Sequence, residues 1–590
     1  MDSRRSRKSY AGALAPLLLS LPAACAEQPG PASEPPTAGV VLIAAAQGEV
    51  ESDASPAAGS GYGAYLAGLF AGHQRDLSAA ADYMLQALSY DTENAQLLNR
   101  ILMLVAADGR HAKAVQIARR LDAINPGHSL AALVLAVDAL ERDAFEEADG
   151  HLAGLPKRGL STVTAPLLRA WLQVARGDVA GAMERAAPLK NKSGFGVLYS
   201  LHAGLMNDVA GETEAARINL EDALKLAGQP SLRLVWLTGN FFERTAHRQR
   251  AAELYRAFLA RNPNSTIIGT ALERAESGVA APPVVADAKA GMAEALFNLA
   301  SLLSQERAEE VALVHVYLAL RLKPDFVIAR VLLGEILQAQ GRSTDAIAVY
   351  RQIPVDSPFS WMVRMRVAEE LERMDKVDEA VAELESLAAA RPERFEPLLR
   401  LGNLLRNKER FAEAVKAYDR AVARVDAPTR RHWTLYYFRG IALERLSQWS
   451  RAEQDFLLAL ELEPEQPFVM NYLAYSWVEK ELNLDKAKSM LVRAVELRPD
   501  DGFIVDSLGW VYYRLGEYQR GVTHLERAVE LRPQDPVIND HLGDAYWRVG
   551  RHQEARFQWR RALSLEPEEN LVPKIEAKIQ HGLKDSPEDI

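Results

Sequence analysis

A small or medium-sized side chain returns along this chain with a fixed stride. It falls at Gly68, Leu102, Ala136, Ala170, Gly204, Gly239, Ala300, Gly334, Ala368, Gly402, Gly440, Ala474, Gly509 and Gly543. Nine of the thirteen intervals are 34 residues, two are 35, one is 38 and one is 61. Twelve residues later a second small residue keeps step, as at Ala80, Ala114, Ala148, Ala346, Ala414, Gly521 and Ala555, arriving one place late as Ala487. Twenty-four residues after the first mark comes proline in many copies: Pro126, Pro263, Pro324, Pro392, Pro464, Pro533 and Pro567, with Pro499 one late. A period of this length marks a chain of stacked supersecondary units, each too small to bury its own apolar face.

Each mark has a physical cause. One small residue in a first helix and another in a second let the two helices cross closely and antiparallel. Larger side chains three and sixteen residues after the first mark, such as Tyr546 with Trp559 or Leu443 with Phe456, fill the space beside that crossing. Proline cannot donate to the helix ladder, so it ends the second helix and starts the next unit. Composition agrees with helix: 48% of the residues are hydrophobic and only 7% aromatic, and the common alanines and leucines are strong helix formers.

This combination resembles the tetratricopeptide repeat (TPR) family. The clearest copy spans 536–569, with Leu542, Gly543, Tyr546, Ala555, Trp559, Ala562 and Pro567 at the family's signature places. The resemblance covers roughly 61–569. It is weaker toward the N-terminus, where Leu102 replaces a small residue and Asn207 a large apolar one. It implies an all-α, right-handed α-solenoid of about fourteen helix hairpins that holds other proteins and catalyses nothing. The 61-residue interval breaks the array after the sixth hairpin. Six repeats are expected over 61–265, an irregular joint over 266–292 with room for a helix at Thr266–Ser277, and eight repeats over 293–569. The four-residue insertion near Asp426–His432 is a lengthened turn. Leu571, Ile575, Ile579 and Leu583 recur every four residues, which predicts a capping helix and tail over 570–590.

The first sixty residues read differently. Arg4, Arg5, Arg7 and Lys8 precede an apolar stretch, Ala11–Leu21, and then small residues. That order is the order of a secretory signal over 1–26. Two processing readings stand: cleavage after Ala26 at Ala24-Cys25-Ala26, or a lipoprotein signal in which Cys25 becomes the lipidated first residue. Pro22 stands where such a signal usually has leucine, and Cys25 is the only cysteine. Residues 27–60, with Pro29, Pro31, Pro35, Pro36 and Pro56 among Gly, Ser and Ala, read as a flexible tether. Within it the run Val40–Ala46 is apolar and has no evident role. The expected location is the periplasm, with outer-membrane anchoring if Cys25 is lipidated; the alternative is the cytoplasm.

The formal net charge is −10, and no dense basic stripe suits a nucleic acid. Past the signal, no apolar run approaches the ~18 residues of a membrane span. Motifs for zincins, nucleophile elbows, phosphate loops and paired-cysteine metal sites are absent from the sequence, so no catalytic residue, cofactor or metal is expected. The partner is expected to be a protein. In the family the inner groove is lined by positions two, five, nine, twelve and thirteen of the first helices. Six of nine tryptophans lie after residue 430, and mapping these positions there gives Tyr437, Asn471, Tyr475, Phe503, Asp506, Trp510, Tyr513, Arg514, Asp540, Asp544, Trp547 and Arg548. Aromatic anchors beside Asp and Arg suit a groove for a peptide or helix; the same rings could instead pack between neighbouring first helices. The Lys and Asn arrangement that clamps a terminal carboxylate in some relatives is not evident, which argues against such tails as ligands. The alternative to an envelope scaffold is a cytoplasmic assembly adaptor or co-chaperone.

Overall fold

A computed structural model describes residues 61–279 and 281–583. The expected signal, tether, Cys25 and the last seven residues lie outside the described residues. Those described form thirty α-helices and one short 3-10 turn at Arg430–His432, with no strand among them. The described residues are thus all-α, an array of antiparallel helix hairpins. The chain divides into two compact units, with the boundary between Met374 and Asp375.

In the first unit the hairpins run in pairs: α1 (Gly61–His73) with α2 (Leu77–Leu88), α3 (Ala95–Ala107) with α4 (His111–Ile124), α5 (Ser129–Glu141) with α6 (Phe145–Ala153), and α7 (Ser161–Ala175) with α8 (Val179–Lys190). Next come α9 (Gly196–Val209) with α10 (Thr213–Ala227) and α11 (Leu232–Arg244) with α12 (Arg248–Leu259). A single helix, α13 (Thr266–Ser277), follows, then the long hairpin α14 (Ala288–Gln305) and α15 (Glu309–Leu322). The unit ends with α16 (Val327–Ala339), α17 (Ser343–Tyr350) and α18 (Ser360–Arg373). The interval of 61 residues is thus filled by α13, a short connection over 278–287 and a first helix lengthened to 18 residues.

The second unit comprises α19 (Val377–Ala390), α20 (Glu396–Asn407), α21 (Phe411–Val422), α22 (Trp433–Arg445), α23 (Trp449–Leu462), α24 (Pro467–Glu479), α25 (Leu484–Leu497), α26 (Gly502–Arg514), α27 (Tyr518–Leu531), α28 (Pro536–Arg548), α29 (His552–Ser564) and α30 (Val572–His581). Asp501 and Asp535 start α26 and α28 by accepting hydrogen bonds from backbone N–H groups of the first turn, which satisfies donors that a helix start leaves free.

The hairpins close by matching sizes across the crossing. A Cβ built on Gly402 would stand 2.3 Å from the Tyr418 ring, and one on Gly543 would stand 2.4 Å from the Trp559 indole. No side chain fits there, so the first helix surrenders its own volume to the aromatic ring sixteen residues on. The degenerate second copy inverts the exchange: Leu102 takes the small place and Ala118 the large one, both fully buried. Total volume is kept, which is what a packed interior requires.

Seven residues after each small mark the backbone turns through the left-handed region, at Arg75, Gly109, Asp143, Gly177, Gly211, Ala246, Arg307, Gly341, Asp375, Glu409, Ser447, Glu481, Gly516 and Gly550. This is the turn from first helix to second, and its regularity gives every hairpin the same exit angle. At the far end Ile575 of α30 is 1% exposed, so the last repeat is covered.

The first unit departs from a simple stack. The hairpin α14–α15 lies against the first helices of earlier repeats, α14 on α7 and α9, α15 on α3 and α5. Ion pairs span long stretches of sequence: Arg100 with Glu310 at 3.1 Å, Arg342 with Asp108 at 3.5 Å and Lys289 with Asp143 at 2.8 Å. Arg321 pairs with Glu141.

Candidate functional site

The face built from the first helices is where a solenoid of hairpins can hold a guest, and in the first unit the chain itself occupies that face. Trp171, on α7, stands directly after a small mark and is fully buried. A Cβ on Gly291 of α14 would lie 2.3 Å from its ring, so the α14 backbone rests on the indole. Arg233, on α11, forms a two-pronged ion pair with Glu294 of α14, and the two side chains are 2% and 0% exposed. Asn240, also directly after a small mark, grips the irregular segment before α14: its Nδ2 donates to the Pro282 carbonyl at 2.9 Å and its Oδ1 accepts from the Val284 N–H at 3.2 Å. One face therefore holds both a helix and an irregular segment, by aromatic contact, buried ion pairing and a side-chain amide.

In the second unit the corresponding face runs over α22, α24, α26 and α28; α30 covers it at α28, and the part toward α24 holds a recess. The backbones of α22 and α24 stay farther apart than those of α24 and α26 or of α26 and α28. The recess, of about 490 Å³, lies across α24, α26 and the start of α28, with Glu444 and Arg445 of α22 at its edge, and Asn471, Tyr475, Phe503 and Asp506 line it. These are four of the twelve residues mapped from sequence. Phe503 is 48% exposed and carries the Arg532 guanidinium over its ring at 5.0 Å. The Asn471 Oδ1 is enclosed and accepts no hydrogen bond from the described residues. Burial, with the carboxylates of Glu479 and Asp506 nearby, holds the Tyr475 hydroxyl above the ordinary tyrosine range. Around the recess stand Glu444, Glu479, Asp506 and Asp535 against Arg445 and Lys480, an excess of negative charge.

The other eight mapped residues pack against their neighbours. Tyr437 lies against Phe438, Phe456 and Tyr472, and burial pushes its hydroxyl up to about 12. Trp510 and Tyr513 are 5% and 3% exposed. Trp510 is stacked between Tyr513 at 4.7 Å and His541 at 4.0 Å, and its Nε1 donates to Glu479 at 2.7 Å. Arg514 pairs with Glu481 at 2.7 Å, and Arg548 Nε reaches the Tyr513 hydroxyl at 3.5 Å. Asp540 and Asp544 both receive Lys578 of α30, at 2.8 and 2.7 Å, and Asp544 also accepts from the Trp559 indole. Trp547 is held between His552, Trp559 and the chain at Gly582. Lys578 is the residue that sequence mapping missed. It lies on the cap, outside the repeat, where no repeat position could announce it.

His541 sits at the centre of this packing. Burial alone would lower its pKa, but the Asp506 carboxylate, 3.0 Å from Nδ1, raises it above the ordinary histidine value, helped by Asp540 and Asp544. Burial likewise pushes Asp544 up to about 6, although Lys578 pulls the other way. Both folded-state values lie above the unfolded ones, so both groups stabilise the fold most at low pH, and that stability is lost as pH rises through the folded values. The melting temperature of the protein is therefore expected to fall as pH rises, first through about 6 as Asp544 ionises and again above the ordinary histidine value as His541 loses its proton. In the His541→Gln variant the fall should be clearly shallower. A pH series of thermal melts tests this, and identical slopes would refute it.

His111, Asp138 and Glu141 are the group among the described residues whose ligand atoms could converge on a metal ion. Arg119 and Arg142 already pair with Asp138, and Arg321 with Glu141, so three guanidinium groups supply the positive charge that a cation would bring. No described helix is long and apolar enough to cross a membrane.

Among known proteins, the tetratricopeptide repeat family model matches residues 312–360, 368–427, 399–467 and 507–569. A TPR repeat-containing protein of Pseudomonas aeruginosa is 24% identical over 186 residues. That match covers 31% of this chain and 31% of the relative's own length, so the shared part is less than a third of either. Among solved structures, the Cut9–Hcn1 hetero-tetramer of the APC/C is similar over 88% of this chain and 96% of that one, at 16% identity and a TM-score of 0.36. YrrB, described as a TPR protein with an unusual peptide-binding site, is similar over 33% of this chain and 97% of its own, at 20% identity and a TM-score of 0.27. A TPR protein from Parabacteroides merdae covers 49% of this chain and 99% of its own, at 14% identity and a TM-score of 0.33.

Proposed function

We propose, from the premise that this chain carries tetratricopeptide repeats and is a protein-interaction scaffold, that its second unit binds a peptide or helix of a partner protein on the first-helix face. The observation that carries this reading is internal. The same kind of face in the first unit already holds a hairpin and an irregular segment of the chain itself, which leaves the recess at Asn471, Tyr475, Phe503 and Asp506 as the place for a guest from outside. The negative charge around it favours a partner segment carrying Lys or Arg, and Tyr475 and Phe503 offer the aromatic area on which binding energy concentrates.

The test is crosslinking and pull-down with the whole protein, followed by affinity measurement on each partner recovered. Tyr475→Ala with Phe503→Ala is expected to weaken binding by at least about tenfold while the melting temperature stays close to that of the parent. Undiminished binding by a folded variant would remove the recess as the site.

The location we propose is the bacterial cell envelope. It rests on the charged, apolar, small order of residues 1–26 and on Cys25, with outer-membrane anchoring if that cysteine is lipidated. Mass spectrometry of the mature N-terminus and lipid labelling of the Cys25→Ser variant test this. A chain that keeps Met1 and fractionates with the cytosol would make it a cytoplasmic adaptor instead.

A further inference from the structure

The first helix of the array is apolar all the way round. Apart from tyrosines, the only titratable side chain in α1 is His73, at its last position. A helix with no polar face is normally covered on every side. Here only Ala64, Gly68 and Ala71 are buried, with Gly68 lying against Met84 of α2. On the opposite side Tyr62, Leu66 and Phe70 are 85%, 63% and 66% exposed. They are four residues apart and so form one stripe, with Tyr65 and Leu69 beside it and Tyr83 and Tyr90 of α2 extending the surface. Terminal repeats of a solenoid need a cover with a polar outer side. The last repeat has one in α30; among the described residues the first has none.

We propose that residues 40–46, Val40-Val41-Leu42-Ile43-Ala44-Ala45-Ala46, fold back over this stripe and serve as the N-terminal cap. The run carries no charge and stands between a proline-rich stretch and α1. Fourteen residues, 47–60, connect it to Gly61, and extended they span up to about 46 Å. The face to be covered is about 20 Å long, so the run reaches all of it from the end where the chain enters. Glu49, Glu51 and Asp53 in the connection favour its course through solvent. A segment tethered this closely is present at an effective concentration in the millimolar range, well above that of a second copy or a separate partner.

Photocrosslinking of the whole protein from benzoylphenylalanine placed at Leu66 tests the assignment. Crosslinks to residues 40–46 within one molecule are expected. In parallel, Leu42→Asp with Ile43→Asp should speed amide hydrogen exchange across α1 at least about tenfold, leave α30 unchanged and leave the helical signal intact. Crosslinks between isotopically distinct copies, with a dimer in sedimentation, would assign the face to self-association and overturn the proposal. Crosslinks to lipid or to no peptide, or exchange in α1 that ignores the double substitution, would overturn it as well.

Discussion

Replacing Glu294 with Ala is expected to destabilise the first unit by about 3–5 kcal/mol, because it strands a buried guanidinium. Arg233 and Glu294 are nearly inaccessible, and Arg233 Nε donates to Glu294 Oε1 at 3.0 Å beside a second, parallel bond. Asn298 Nδ2 donates to the same carboxylate at 3.1 Å. Around the guanidinium stand the rings of Trp236, Phe326 and Phe297, at 5.0, 5.4 and 6.0 Å. Arg233→Met together with Glu294→Met should recover most of the loss, since an apolar pair of similar volume removes both desolvation costs at once. Hydrogen exchange in α11 and α14, beside thermal melts, locates the effect. A loss under about 1 kcal/mol in the single variant would show that water reaches the pair.

Trp171→Ala is expected to cost a similar amount, about 3–5 kcal/mol, and to do so at a distance from its own hairpin. The indole fills the space under Gly291 and donates from Nε1 to His202 Nδ1 at 3.1 Å. Burial pushes the His202 imidazole down to about 4, so the ring is neutral at ordinary pH and accepts at Nδ1. Removing the indole opens a cavity, leaves that nitrogen without its donor and takes the floor from α14. Exchange should therefore accelerate in α14 and α15 as well as in α7, while α2 is little changed. Trp171→Phe should keep most of the packing and lose the hydrogen bond. If α14 stayed as protected as in the parent, the indole would not be what seats the hairpin.

These two residues show what the sequence made legible and where it stopped. The 34-residue stride located the hairpins because most of the small marks answer a larger residue sixteen places on, a local exchange visible within one copy. The same logic accounts for Leu102, which seemed a defect until Ala118 was seen opposite it. The left-handed turn escaped notice because Glu409, Ser447 and Glu481 adopt it without glycine to mark it. Arg233 and Trp171 occupy groove positions, yet the α14 residues they meet, Glu294 and Gly291, lie more than sixty residues further along the chain, and periodicity holds no record of pairing between distant copies. The second unit posed the opposite difficulty. Trp510 and Phe503 sit on the same helix at positions that the family uses for guests, but Trp510 is sealed by Tyr513 and His541 while Phe503 stands half in solvent. Both fates require the same face of the same helix, so spacing alone could not tell them apart.

The pairing of Arg100 with Glu310 joins residues 210 positions apart, and that has a consequence in time. A repeat array ordinarily folds as it emerges, each hairpin settling on the one before. Here the earliest repeats meet the hairpin that fills them only after some two hundred further residues have followed. At about 5–20 residues per second, ribosomal synthesis leaves them waiting roughly 10–40 s. Trp171, 120 residues ahead of Gly291 in sequence, faces outward until that hairpin follows it, and a holdase that shields greasy surfaces has its natural opening there.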